Sequence, residues 1–273
     1  MNSKKARVLA IPYILWIAGF TVIPLLFVFA KAVTTPAGGF TFDNLLAIFD
    51  PVHRKSLLMS ILLALASTCV CILISYPVAL ILKSSKITNK KIIMFIMILP
   101  MWMNFILRIL AIQMLISNNG IINNILEHFG AAPLRIINTP VAIVIGMVYD
   151  YLPYMMLPVM NCILAIPDDI IEASRDLGAG RLQVLTRIIM PLSLAGIGSG
   201  ITMVFVPSMT EFVIANILGG GKILLLGNII EQEFSVTMNM NLGSGLSVAL
   251  MVFVLLTTLI FGRKNETDRG FVL

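Results

Sequence analysis

The sequence predicts an all-α, polytopic membrane protein with six transmembrane helices, and two observations carry that prediction. Of its 273 residues, 59% are hydrophobic and only 12% are charged, whereas soluble domains average about 45–50% apolar and about 25% charged. The apolar residues also gather into six stretches, 8–30, 57–82, 92–116, 140–165, 192–218 and 244–262. Each is near the length of about 20 residues that a helix needs to cross the hydrocarbon layer. One water-soluble core cannot hide so much apolar surface, which excludes a soluble enzyme, and a disordered chain is excluded by the same composition. Six spans consume the length, so a single transmembrane domain over residues 1–273 is expected.

The first stretch follows Lys4, Lys5 and Arg7, as in a secretory leader. It is longer than the apolar core of about 7–15 residues that leaders carry, so an uncleaved span is expected. Pro12 and Pro24 should bend it, which membrane helices tolerate where neighbours re-satisfy the backbone. Orientation follows from Lys and Arg in the connectors. With the N-terminus inside, thirteen fall on inner segments and five on outer ones, and Arg108 lies within the third span. Basic residues favour the cytoplasmic side, so both termini are expected in the cytoplasm. The same rule accounts for the net charge of +6 without any nucleic-acid partner.

Three outer connectors, about 31–56, 117–139 and 219–243, mix polar and apolar positions. Thr41 or Asp43 is placed to cap a short helix through Phe49. Gly120–Leu126 and Leu224–Glu231 have amphipathic patterns. Interfacial helices under the outer face are expected, which either close the bundle or offer a landing surface to a soluble partner. Cys69, Cys71 and Cys162 sit in apolar stretches as small fillers, and His53 and His128 are isolated in connectors. No metal site, disulfide framework or catalytic residue is expected.

The inner connector between spans four and five carries the mechanism. Asp168 or Asp169 is a candidate N-cap, and Asp169 with Glu172 has capping-box spacing. Gly178 and Gly180 are candidate stops, because glycine accepts the left-handed backbone that ends helices. The result is a short, rigid helix below the membrane. Glu172-Ala173-Ser174, then Gly178, then Ile188-Ile189-Met190-Pro191 resembles the cytoplasmic loop of ABC importer permeases, with Ser174 and Met190 as small or volume-conserving departures. Pro100-Met101-Trp102-Met103-Asn104, Leu107-Arg108-Ile109, Asn118-Asn119-Gly120 and Leu226-Gly227-Asn228 extend the likeness along the chain. They resemble the first permease of spermidine/putrescine importers.

That resemblance implies the type I ABC importer permease fold in the plasma membrane. It also implies a second, related permease subunit, an ATPase dimer below and an extracytoplasmic polyamine-binding protein above. Glu172, Ala173, Ser174, Asp176 and Gly178 would form the coupling helix, with Glu172 and Asp176 pairing with basic residues of the ATPase. Glu172 also has the position to cap its own helix. No cofactor is implied for this chain, since ATP and Mg would be used by the ATPase. Gly219-Gly220-Gly221-Lys222 is not a phosphate loop: Asn216 stands at the first glycine and Ile223 at the Mg²⁺-binding hydroxyl.

Ionisable residues inside spans are functional candidates by default, and here they are Arg108, Asp150 and Glu211. Asp150 is flanked by Tyr149 and Tyr151, with Tyr154 one turn on, and Trp102 lies at similar depth in span three. Carboxylates and aromatic faces suit ammonium groups. One reading therefore has Asp150, Glu211, Tyr149, Tyr151 and Trp102 line a polyamine path. The other has Arg108 pair with Asp150 or Glu211 to hold the bundle. Gly196, Gly198 and Gly200 give span five a small face for close helix packing, the interface with a second permease being one place for it. A secondary transporter would show internal repeats, and a membrane-embedded enzyme would need a polar cluster within the spans; neither pattern is present. An importer permease for another solute shares most of these motifs.

Overall fold

The computed structural model describes residues 11–269, with side chains as far as residue 259. The expected start of the first span at Val8 lies outside that description, as do Lys4, Lys5 and Arg7. Among the described residues, six helical segments are long and apolar enough to cross a membrane: Ile11–Ala32, Pro51–Ser84, Phe105–His128 (two helices with a turn at 117–120), Pro140–Ala165, Arg181–Thr210 and Met240–Leu259. The chain divides into two compact units. One gathers the described residues as far as Lys55 with Ile229–Phe253, and the other gathers Ser56–Asn228 with the end of the chain from Val254.

In the first unit, α1 (Ile11–Ala32) contains a π-helical turn at Ala18–Val22, immediately before Pro24. Pro24 has no N–H for the carbonyl one turn back, and local widening of this kind re-satisfies the freed groups. After α1 the chain makes a tight hairpin bridged between Thr34 and Phe40. It then enters α2 (Asp43–Leu46), whose first amide donates to the Thr41 hydroxyl at 3.1 Å. Two asparagines collect the carbonyls that α1 leaves open. Asn44 donates to Ala32 and Thr34, and Asn241 donates to Lys31 and Thr34.

The second unit is built around α7. It comprises most of α3 (Pro51–Ser84), then α4 (Lys90–Ile98), α5 (Phe105–Ile116), α6 (Ile121–His128), α7 (Pro140–Ala165), α8 (Asp168–Asp176), α9 (Arg181–Thr210) and α10 (Val213–Gly219). The helices α11 (Leu226–Ser235) and α12 (Met240–Arg269) complete the chain. Met147, Met155, Val159 and Ile163 of α7 are fully buried among Leu63 and Ala79 of α3, Ile109 of α5, Val204 of α9 and Leu218 of α10. Small residues set these approaches. A Cβ on Gly196 of α9 would lie 2.6 Å from the Pro158 carbonyl, and one on Gly200 would lie 2.5 Å from Met155 Sδ. That part of the small face of span five is therefore spent inside this chain, against α7. Gly146 admits Ile214 and Leu218 of α10 in the same way.

Two expected spans are broken. The stretch 92–116 is not one helix: α4 gives way to a 3₁₀ turn at Leu99–Trp102, and α5 starts afresh after Asn104. Pro100 disfavours helix at the residue before it, and Asn104 is an effective N-cap, accepting from the Leu107 amide at 3.2 Å. The fifth stretch, expected over 192–218, begins earlier, at Arg181, and stops at Thr210. A separate helix, α10, follows the extended Glu211.

Candidate functional site

The connector between spans four and five folds into α8 and stands almost free. Of its side chains Ile171 alone is buried, beside Ile166 and Val184. Glu172, Ala173, Arg175 and Asp176 are exposed, and Leu177 just beyond is 90% exposed. Its N-cap is Pro167, whose backbone is already extended, and no side chain caps it. The expected caps at Asp168 and Asp169 are thus corrected, and so is the Asp169–Glu172 capping box. Both aspartates sit in the first turn, where the helix dipole favours them. Asp168 has another partner: Lys83 Nζ at the end of α3 lies 2.7 Å from its Oδ1 and also donates to the Ile166 carbonyl at 2.6 Å. The hydrogen bond and charge of Lys83 hold the Asp168 carboxyl below the usual carboxylate range.

At its other end α8 stops as expected. Gly178 adopts φ +86°, its amide donates to the Arg175 carbonyl, and the Ala179 amide reaches back to Ser174 at 3.0 Å. The Ser174 hydroxyl bonds the Ile171 carbonyl, so Ser174 serves the helix internally. Gly180 is no part of that stop; it is the N-cap of α9, its amide donating to Gln183 Oε1 at 2.9 Å. A groove of about 500 Å³ runs beside α8, lined by Lys83, Ser85, Lys90, Glu172 and Arg175 among others.

The three charges expected within the spans are each taken up by a partner. Arg108 of α5 forms an ion pair with Asp150 of α7. The same guanidinium donates to the Pro100 carbonyl at 3.1 Å. One side chain therefore serves both the open carbonyl at the break of span three and the acid of the central helix. Glu211 does the equivalent at the break of span five. Its Oε1 accepts from the Ile214 amide at 3.0 Å, capping α10, and its Oε2 accepts from Tyr151 at 2.6 Å. Arg108, Asp150, Tyr151 and Glu211 are all at most 8% exposed. Burying a charge is costly unless it is paired and hydrogen-bonded; the ion pair and the bonds to Pro100, Ile214 and Tyr151 offset much of that cost, while Arg108 Nε and Asp150 Oδ1 make no hydrogen bond.

The break of span five is further enclosed by the start of α11. Asn228 donates to the Phe212 carbonyl at 3.0 Å and to Asn216 at 2.7 Å, and accepts from the Leu225 amide. Gly227 lies so near that a Cβ there would be 2.7 Å from the Thr210 carbonyl oxygen. Gln113 of α5 donates to the Ile217 carbonyl of α10 at 2.9 Å, joining the two broken spans.

The aromatic candidates do not gather round these acids. Tyr149 is 43% exposed, and Trp102, at 73%, packs edge-on against Phe95. Tyr151 alone meets an acid, with Tyr154 tilted against its ring at 6.3 Å. Sequence reasoning gave no structural role to Lys83, Asn104, Gly227 or Asn228. Asn104 carried a signal, an N-cap residue just after a Pro-containing break. For Lys83 no local pattern reveals a partner 85 residues away in Asp168.

The family described as "Binding-protein-dependent transport system inner membrane component" matches residues 72–264, most of the chain. This chain belongs to that family. It is therefore a multi-pass membrane permease of the ABC importer type, and not itself an enzyme. Among the proteins similar to this permease is the spermidine/putrescine transport system permease protein PotB of Haemophilus influenzae, 34% identical over 97% of this chain and 96% of that protein. PotB of Escherichia coli K12 is 33% identical over 92% of this chain and 94% of its own length. The E. coli inner membrane ABC transporter permease protein YdcU is 24% identical over 84% and 77%. Solved structures agree on the fold. A chain of a bacterial alginate ABC transporter, in complex with an alginate-bound periplasmic protein, superposes with TM-score 0.75 at 15% identity, covering 95% of the permease and 93% of that chain. A chain of the MetNI methionine ABC transporter gives 0.55 at 20% identity, covering 79% and 95%.

Proposed function

We propose that this permease forms one wall of the translocation path of an ATP-driven importer for spermidine and putrescine. The likeness to PotB over nearly the full length carries the reading. The chain would pair with a second, related permease. An ATPase dimer, which uses the ATP and Mg, would sit on the cytoplasmic face, and an extracytoplasmic binding protein would deliver the substrate. Both termini would lie in the cytoplasm, in keeping with the basic residues of the inner segments.

Coupling falls to α8. Glu172, Ala173 and Asp176 are free to meet the ATPase, while Ser174 and Gly178 hold the form of the helix. A rigid element transmits a rigid-body motion, and Lys83 ties α8 to α3. The path falls to the broken spans, where Asp150, Tyr151 and Glu211 place acids and a phenol at the depth where helices are interrupted. The exposed rings of Tyr149 and Trp102 offer faces to ammonium groups.

The test is uptake of labelled spermidine by cells lacking their own polyamine importers, with the chain restored beside its neighbouring genes. Wild type should restore uptake, and Glu172→Arg with Gly178→Asp should abolish it at equal membrane level. An assembled complex that hydrolyses ATP yet moves neither spermidine nor putrescine would end the polyamine reading and leave an importer permease for another solute.

A further inference from the structure

The helix α6 presents a division of faces that the transport reading does not use. Successive residues are about 100° apart around a helix, which places Ile121, Ile122, Ile125 and Phe129 on one flank. All four are exposed, Phe129 to 80% and Ile121 to 55%. Asn124 and Glu127 fall on the other flank and are exposed too, while His128 lies beside Ile121 at the boundary, its ring against Phe129. Between the flanks, the helix rests on the protein through Asn123, which is 2% exposed.

Asn123 fixes that seat. Its amide nitrogen donates to the carbonyls of Ser117, Asn118 and Leu134, and its oxygen accepts from the Leu134 amide at 2.7 Å. With its polar residue spent on the protein, the helix cannot roll to bury the isoleucines without breaking four hydrogen bonds. Its depth is fixed as well. A Cβ on Gly120 would lie 2.6 Å from the carbonyl oxygens of both Met114 and Leu115, so α6 begins against the last turn of α5. The outward side chains of that turn, Met114 at 68% and Leu115 at 40% exposed, belong to a span whose solvent is lipid. Only residues 117–120 separate α6 from the end of that span. A landing site for a soluble partner would instead place its apolar contacts on the side facing water.

We infer that α6 lies in the membrane interface, at the face opposite α8, with Ile121, Ile125 and Phe129 in the acyl boundary and Asn124 and Glu127 in water. This is the arrangement of interfacial amphipathic helices, whose apolar face enters the headgroup boundary by about 5–10 Å. The occupant of the flank is lipid. Such a helix would hold the end of span three at a set depth.

The test uses nitroxide labels on single cysteines, in the full chain with Cys69, Cys71 and Cys162 replaced. The chain is reconstituted in phosphatidylethanolamine/phosphatidylglycerol vesicles in the assembly in which it purifies. Labels at Ile125→Cys and Phe129→Cys should collide with oxygen at least several-fold more than with a water-soluble nickel chelate. Asn124→Cys and Glu127→Cys should show the reverse. Equal nickel access on both flanks would overturn the inference by placing the helix in water. Shielding of Ile125→Cys and Phe129→Cys from both agents would overturn it by showing a protein on that flank. Neither readout depends on which solute is carried.

Discussion

Tyr151 gives its hydroxyl proton to Glu211 Oε2 across 2.6 Å, and the residue before it, Asp150, holds Arg108. Two consecutive positions of α7 thus anchor the breaks of two other spans. Backbone groups freed inside a membrane need protein partners, because no water is there to take them. Here those partners are charged side chains that are in turn neutralised or hydrogen-bonded from α7. The interruptions are consequently fixed points with defined partners, and a movement of α7 is felt at both.

Glu211 carries two bonds and Tyr151 one, which sets an order of effects. Tyr151→Phe leaves the buried Glu211 Oε2 without its donor and should lower stability by about 1–3 kcal/mol, whereas Glu211→Ala leaves the Tyr151 hydroxyl and the Ile214 amide unpaired and should cost about 2–4 kcal/mol. Thermal unfolding of the purified assembly in detergent, followed by loss of the monodisperse peak, ranks the two. Equal losses would mean that the cap on α10 contributes nothing.

The pair Arg108–Asp150 should behave as a unit. Asp150→Asn strands a buried guanidinium and should cost about 3 kcal/mol or more, while Arg108→Met with Asp150→Leu should recover much of that, since apolar replacement of a whole buried pair is often neutral. Membrane level and melting temperature of the two singles and the double give the coupling energy. If Asp150→Asn is as stable as wild type yet fails to move spermidine, the carboxylate serves the substrate and not the bundle.

Much of the fold was legible because lipid imposes its own spacing. Spans two and four, near 57–82 and 140–165, appear as continuous helices over the predicted residues. So does the Gly178 stop of α8, where a positive φ leaves few alternatives. The breaks were less legible. Pro100 and Asn104 give a local reason for the first, but Glu211 looked like a charge within a helix, because its role as a cap depends on Tyr151 and on Asn228 beyond the next helix. The grouping of Trp102 with Asp150 rested on depth alone, and depth does not say which way a ring points. Asp168 looked like a cap because its partner, Lys83, lies on another helix.

The contact between Lys83 and Asp168 has a defined pH window. A carboxyl whose folded pKa is depressed adds stability above its unfolded pKa, about 3.9, and loses it as pH falls through the folded value. The tie between α3 and α8 should therefore hold unchanged from neutral pH down to about 4 and loosen only below it. Asp168 is well exposed, so salt should weaken the tie at neutral pH. The mobility of a nitroxide at Ile170→Cys reports it directly. Lys83→Met should give, at pH 7 and low salt, the mobility that wild type reaches only in acid or high salt.

Two glycines should respond to the same added methyl group in opposite ways. At Gly227 an alanine Cβ would meet the carbonyl oxygens of Thr210 and Glu211 at 2.7 and 3.0 Å. Those are backbone atoms at the break of span five and cannot swing aside. Gly227→Ala should therefore lower the amount of protein in the membrane, with uptake per molecule little changed. At Gly178 nothing lies within 4 Å, but φ is +86°. The penalty there is conformational, about 1–2 kcal/mol for a residue with a Cβ in that region, and it falls on the end of an exposed helix rather than on the core. Gly178→Ala should leave the membrane level intact, and Gly178→Val should do the same while unwinding the last turn of α8. Uptake per molecule should then fall in the order wild type, Ala, Val, alongside substrate-stimulated ATP hydrolysis by the assembly. If Gly178→Val transports normally, the form of the last turn plays no part in coupling, and the work belongs to Glu172 and its neighbours at the start of the helix.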